Sequence, residues 1–142
     1  MTKDKIIKQL QEDVYCRIGR SEISGIGVIA IKDIPNGTDP FKDSDLSAEY
    51  IGILPEELPR LDLNIERYMK DMCVFEDGKY WLPDTGLQTI TIGWYLNHSK
   101  TPNMTATHRG ENFIASRDIK AGEELTVDYS TYDESREDED FG

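Results

Sequence analysis

Two stretches in the last third of this 142-residue chain place residues suited to ligand binding beside apolar segments. Asn97 and His98 directly follow an apolar run over residues 90–96, which we expect to be buried. A buried Asn or His costs free energy unless it is hydrogen-bonded. His98 alone would be typical of a satisfied core histidine, but Asn97 beside it favours a turn whose donors and acceptors hold a ligand. The second stretch ends in Asp128 and Tyr129, which places a phenol at the end of a β-rich segment.

A third stretch, Gly25-Ile26-Gly27, offers main-chain groups rather than side chains. Taken alone, this spacing mostly indicates a turn, and it is not a dinucleotide fingerprint because no helix follows Ala30. Glycines also allow a ligand to approach the main chain closely. The exposed N–H and C=O groups of residues 24–28 could then bind an amino-acid-like head group.

Short strands and glycine-rich turns must position these three stretches. Helical spacing of Ile6, Ile7 and Leu10 predicts an N-terminal helix, and a second helix is predicted between residues 61 and 75. Asp77-Gly78 and Arg109-Gly110 are typical of hairpin turns. We therefore predict a β-rich α+β domain. Its strands are expected over residues 14–20, 28–31, 48–54, 104–108, 112–116 and 125–129.

Composition indicates the class of protein and of partner. The net charge of −12 disfavours direct binding to nucleic acid, because a protein needs a basic face for such binding. The same charge favours a basic protein as the partner. No apolar run is long enough to span a membrane, and the N-terminus lacks a secretory signal, so a cytoplasmic setting is expected, with a host nucleus as an alternative. Cys16 and Cys73 lack zinc-ligand spacing, and we expect buried thiols and no metal.

The order of the motifs resembles the SET-domain family of protein-lysine methyltransferases, over residues 14–132. Residues 1–13 would then form a helical extension and residues 133–142 an acidic tail. The family's fold combines several short curved sheets with one or two helices and a knot-like C-terminal segment. The chain is most similar to the minimal members found in viruses and bacteria. The motifs are Gly25-Ile26-Gly27, Asn36-Gly37, Glu49-Tyr50-Ile51-Gly52, Asn97-His98-Ser99 with Pro102-Asn103, and Glu124-Leu125-Thr126-Val127-Asp128-Tyr129.

The resemblance implies transfer of a methyl group from S-adenosylmethionine to a protein lysine, with S-adenosylhomocysteine as product. It makes Tyr129 the catalytic residue. Tyr50, Tyr95 and Val127 would form the lysine channel, although Tyr50 is also typical of a simple strand aromatic. The implied cofactor contacts are Ser24, Gly25, Ile26, Gly27, Asn97, His98, Tyr129 and Tyr132.

The chain also departs from the family pattern. Trp94 stands where an Arg is common, and Lys100 stands where a Cys is common. No cysteine cluster follows Tyr129, so only Tyr132 and the tail to Phe141 could cover the channel. Val127 occupies a position that tunes how many methyl groups some members add, and the number here stays open.

Two other functions remain as alternatives to an active methyltransferase. One is a catalytically weak module on the same fold that binds S-adenosylmethionine or a lysine-containing peptide. The other is a small acidic interaction protein without a cofactor, which would leave Asn97, His98 and Tyr129 unexplained. For the enzyme, the expected partner is a basic histone-like, ribosomal or nucleoid protein. The oligomeric state stays open, with a homodimer as one alternative.

Overall fold

A computed structural model describes residues 2–42, 49–107 and 112–133 of the chain. The described part contains two α-helices and three small β-sheets, which confirms the predicted β-rich α+β class. The predicted turn at Arg109-Gly110 and the acidic tail after Asp133 lie outside the described residues. In chain order the elements are α1 (Lys3–Glu12), β1 (Cys16–Arg20), β2 (Ile26–Ala30), β3 (Tyr50–Ile53), α2 (Leu63–Met72), β4 (Val74–Glu76), β5 (Lys79–Pro83), β6 (Asn97–His98), β7 (Met104–Thr107), β8 (Asn112–Ala115) and β9 (Glu124–Val127).

The largest sheet has the strand order β1-β2-β9-β6. β1, β2 and β9 are antiparallel neighbours, whereas β6 runs parallel to β9 and pairs Asn97 with Thr126 and His98 with Val127. The turn predicted at Asn97-His98 and the residues that follow therefore begins only after His98, because β9, which is distant in sequence, supplies a partner strand for these two residues. The final strand is also shorter than predicted. It ends at Val127, because the Asp128 side chain accepts a hydrogen bond from Ser130 N and caps a 3-10 turn.

The second sheet, in the order β3-β5-β4, contains the predicted hairpin. Asp77 and Gly78 both have positive φ, at 56° and 72°, as a two-residue type I′ turn requires. β7 and β8 form a separate antiparallel pair. The second sheet matters for the site because β3 carries Tyr50.

Helix α1 begins at Lys3 because Thr2 caps it, with the Thr2 side chain accepting from Lys5 N at 3.2 Å. The predicted apolar face exists, but Ile6, Ile7 and Leu10 are exposed. Helix α2 begins after Asp62, whose side chain caps Asn64 N. Among the described residues, neither helix has the length and apolarity needed to cross a membrane.

The core lies between the largest sheet and the β7–β8 pair. Its fully buried side chains are Val28, Ile34, Met104, Ile119, Leu125 and Val127. Of the apolar run over residues 90–96, only Leu96 is buried, because residues 92–95 form a half-buried 3-10 turn. Cys16 and Cys73 are free and buried as predicted. Burial raises the pKa of the Cys16 thiol to about 12, and burial with the nearby Asp133 raises that of Cys73 to about 11.

A buried asparagine fastens the middle of β9 to the segment that follows β6. Asn103 is 3% exposed, its Nδ2 donates to Glu124 O at 2.9 Å, and its Oδ1 accepts from Thr126 N at 2.8 Å. The side chain thereby imitates a neighbouring strand, using both ends of its amide on main-chain groups. Asn103 positions the strand that leads directly to Tyr129.

Candidate functional site

The glycine loop and Asn97 meet at one end of the largest sheet. Asn97 Nδ2 lies 3.2 Å from Ser24 O and 3.1 Å from Ile26 O, so its amide donates into the main chain of the loop. Gly25 has a φ of +48°, which allows the tight turn that brings these carbonyls inward. Two of the three predicted stretches therefore share one site.

His98 joins the same site to the third stretch. Its Nδ1 accepts a hydrogen bond from Tyr129 N at 3.1 Å, and the two rings lie 5.2 Å apart between centroids. Because Nδ1 is an acceptor here, the proton of the neutral imidazole resides on Nε2. Asp128 Oδ1 lies 3.8 Å from Nδ1, and an ion pair between them would require the protonated ring. His98 thus fixes the point at which the chain leaves β9.

The Tyr129 phenol turns back toward β6 from that point. Its hydroxyl donates a hydrogen bond to Leu96 O, the main-chain oxygen directly before Asn97. Tyr129 is half-buried and packs against the hydrophobic core. Main chain on one side and core on the other restrict this ring to a single orientation.

Tyr132 packs beside Tyr129 at the end of the described chain. Its ring meets those of Tyr129 and Phe113 edge to face, with centroids 6.3 and 5.6 Å apart. The next residue, Asp133, is 7% exposed and accepts a hydrogen bond from Phe75 N of β4. This contact holds the segment after Tyr129 against the second sheet. The predicted cover formed by the tail to Phe141 lies outside the described residues.

Tyr50 of β3 stacks on Trp94. The Tyr50 and Trp94 rings are stacked, with centroids 6.3 Å and planes 19° apart. Trp94 lies in the 3-10 turn that leads into β6, so the stack connects β3 to the segment just before Asn97. Tyr95 is half-buried and packs against the core. Val127 is 1% exposed and lies within the core, so its contact with a substrate stays a prediction.

The structure therefore brings the glycine loop, Asn97, His98, Tyr129 and Tyr132 together. Sequence reasoning missed four participants: Trp94 as the partner of Tyr50, Asn103, and the pair Ser21 and Glu124 beneath the glycine loop. Ser21 Oγ donates to Glu124 at 2.7 Å, and Asn97 Nδ2 donates to both side chains. Glu124 is the first residue of the last motif, and its place there was the available signal. In the described part of the chain, no three His, Cys, Asp or Glu side chains are grouped closely enough to hold a metal ion.

Comparison with known proteins places this geometry in a family context. The family model described as the SET domain matches residues 25–130. The chain is 34% identical to histone-lysine N-methyltransferase 2D of Homo sapiens over 129 residues, which cover 84% of this chain, and the Mus musculus protein matches to the same extent. The chain spans only 2% of the length of these two relatives.

A solved structure is similar in fold. It is a Plasmodium falciparum protein assigned as a histone methyltransferase, with a TM-score of 0.54 and 22% sequence identity. The similarity covers 81% of this chain and 92% of that one. The shared architecture thus extends over most of both chains.

Proposed function

This chain belongs to the SET-domain family, as its motifs predicted, and on that premise we propose that it is a protein-lysine N-methyltransferase that uses S-adenosylmethionine. One observation carries the proposal. Asn97, which contacts the glycine loop, is joined through His98 to the phenol of Tyr129. A site for a donor and a site for an acceptor amine can therefore share one wall.

The residues present suit the amino-acid end of S-adenosylmethionine. Asn97 Oδ1 accepts no hydrogen bond from any residue that the structure describes, and the side chain is only half-buried. An ammonium group needs such an acceptor. The exposed loop at Ser24 and Gly25 adds main-chain groups, and His98 and Tyr132 add ring surface. When bound, the cofactor supplies an electrophilic methyl group on a sulfonium.

The lysine nucleophile must lose its proton before it can attack. A free lysine has a pKa of about 10.4, and an apolar environment lowers that pKa because it disfavours the charged form. The stacked rings of Tyr50 and Trp94, together with Tyr129, offer aromatic surface for the aliphatic stem. We propose that these rings desolvate the amine.

Tyr129 would orient the amine rather than act as a strong base. Its hydroxyl proton is directed to Leu96 O, so the phenol oxygen can act as an acceptor for an N–H of the lysine. Holding a nucleophile in line with its target can supply on the order of 7–11 kcal/mol of the barrier in ideal cases. A fixed phenol is the feature that makes such alignment possible here.

The net charge of −12 supports a basic protein as the substrate. The summed field of the chain attracts lysine-rich segments and raises their rate of encounter. Histone-like, ribosomal and nucleoid proteins share this chemistry. We propose this class of substrate, with no nucleic acid bound directly.

The competing function is a binding module on the same fold, and the observation that favours it is Trp94 at a position where Arg is common. The test incubates the protein with methyl-labelled S-adenosylmethionine and a mixture of basic proteins, alongside the same mixture with its lysines acetylated. Label in the unmodified mixture alone supports the enzyme. A rise in melting temperature with cofactor but no label supports the binding module, because a ligand that binds only the native state stabilises it. The absence of both the label and the rise in melting temperature would contradict both functions.

A further inference from the structure

The carboxylate of Glu124, the first residue of β9, is turned toward the glycine loop. Its two oxygens share the single O–H proton of Ser21, with Oγ at 2.7 and 2.9 Å, and Oε2 also accepts a hydrogen bond from Asn97 Nδ2 at 2.9 Å. Ser21 Oγ in turn accepts the main-chain N–H groups of Ile23 and Ser24. One carboxylate therefore links β9, the glycine loop and Asn97 in a single network.

Four acceptors decide which end of the Asn97 amide faces the loop. Nδ2 lies 2.9 Å from Glu124 Oε2, 3.0 Å from Ser21 Oγ, 3.1 Å from Ile26 O and 3.2 Å from Ser24 O. An amide oxygen at that place would face the lone pairs of two carbonyls and a carboxylate, so the nitrogen end is fixed there. Oδ1 is consequently held on the opposite side.

We propose that Glu124 is a positioning residue that holds Asn97 Oδ1 toward the α-ammonium group of the cofactor's amino-acid moiety. This inference rests on the proposed methyltransferase function. The carboxylate fixes the plane of the amide by accepting from Nδ2. Its negative charge also polarises the amide, which makes Oδ1 a stronger acceptor, because hydrogen bonds in a chain reinforce one another.

Gly27 and Glu123 support this role independently. A Cβ at Gly27 would lie 2.5 Å from Glu124 Oε2 and 3.0 Å from Asn97 Nδ2, so a side chain there would displace the carboxylate from its present contact with the amide. The neighbouring Glu123 carboxylate has a different task, since it accepts from Lys120 N at 2.6 Å in the preceding turn. Of the two adjacent glutamates, only Glu124 therefore serves the site.

The test compares two ligands by calorimetric titration, with no turnover required. One is S-adenosylhomocysteine, and the other is its analogue in which hydrogen replaces the α-amino group. The dissociation constant of the analogue divided by that of S-adenosylhomocysteine reports how much the amino group contributes to binding. The variants are Glu124→Ala and Glu124→Gln. Glu22→Gln is the matched control, because it removes an exposed carboxylate from the same loop.

We expect Glu124→Ala to reduce this ratio by about tenfold, through weaker binding of the amino-bearing ligand alone. Glu124→Gln retains an oxygen acceptor without the charge and should fall between that variant and the parent, whereas Glu22→Gln should match the parent. If Glu124→Ala does not fold, Glu124→Gln decides. An unchanged ratio, or equal weakening of both ligands, overturns the inference and leaves the proposed function standing. A parent that binds neither ligand overturns both.

Discussion

The hydroxyl of Tyr129 donates a hydrogen bond to the main-chain oxygen of Leu96, which lies 33 residues earlier in the chain, at 2.5 Å. The amide of the same tyrosine donates to His98, two residues after Leu96. Both ends of Tyr129 are thus attached to one short segment. This double attachment positions the phenol directly beside the residues that we propose hold the cofactor.

Replacement of Tyr129 by Phe tests the phenol oxygen. The ring contacts remain, so we expect the fold and the affinity for S-adenosylmethionine to persist while the methyl-transfer rate falls by about 100-fold or more. Single-turnover kinetics and calorimetry measure the two effects separately. Tyr15→Phe is the control, because it removes a hydroxyl from a ring packed elsewhere on the core. A Tyr129→Phe variant as fast as the parent would remove Tyr129 from the mechanism.

A methyl group at Gly27 would enter the network beneath the glycine loop. The added Cβ would lie 2.5 Å from Glu124 Oε2, so we expect Gly27→Ala to lower the free energy of unfolding by about 1–3 kcal/mol. It should also weaken cofactor binding, measured by calorimetry. Gly93→Ala is the control, since its Cβ would meet nothing closer than Phe41 at 3.6 Å. Equal tolerance of both variants would contradict this account of the loop.

Replacement of Asn103 by Ala tests how much its side chain stabilises the fold. Asn103→Ala removes two hydrogen bonds and leaves the buried Thr126 N–H without its acceptor, so the free energy of unfolding should fall by about 2–4 kcal/mol. Urea unfolding measures the loss. Asn112→Ala, at an exposed position in β8, should change it by less than about 0.5 kcal/mol. Similar effects in the two variants would show that Asn103 does not fasten β9.

The buried thiols make the stability depend on alkaline pH. The folded protein keeps the Cys73 thiol protonated up to a pKa of about 11, while the thiol of the unfolded chain has its ordinary pKa of about 9.0. The contribution of this thiol to stability is therefore complete below pH 9 and is lost progressively between pH 9 and 11. Urea unfolding across this range should show a shallower decline in Cys73→Ala than in the parent. Parallel declines would exclude the thiol as a cause.

Local patterns were sufficient for several elements of the fold. Ile6, Ile7 and Leu10 indicated α1 by their spacing, and Asp77-Gly78 indicated the β4–β5 hairpin by its need for positive φ. Both signals arise from neighbouring residues, so they can be read without the rest of the chain. The order of the motifs was sufficient to predict the family and the β-rich fold.

The pairing of distant segments could not be predicted in the same way. The parallel bridge between Asn97 and Thr126 forms only because the chain returns to β6 after β7 and β8. The spacing of apolar residues within a segment does not indicate this return. For the same reason the hydrogen bonds from Ser21 and Asn97 to Glu124 were missed, although each residue is polar and lies within or beside a motif. Trp94 stood out only as a departure from the family pattern, and its stacking on Tyr50 became visible only in three dimensions.

The most direct test of the methyltransferase account is mass spectrometry of a basic protein after reaction with S-adenosylmethionine. The parent protein and Tyr129→Phe are compared at equal concentration and equal cofactor saturation. We predict the added mass of one or more methyl groups on a defined lysine with the parent, and almost none with the variant. Unmodified lysines with the parent, under conditions in which the cofactor is shown to bind, would contradict the account.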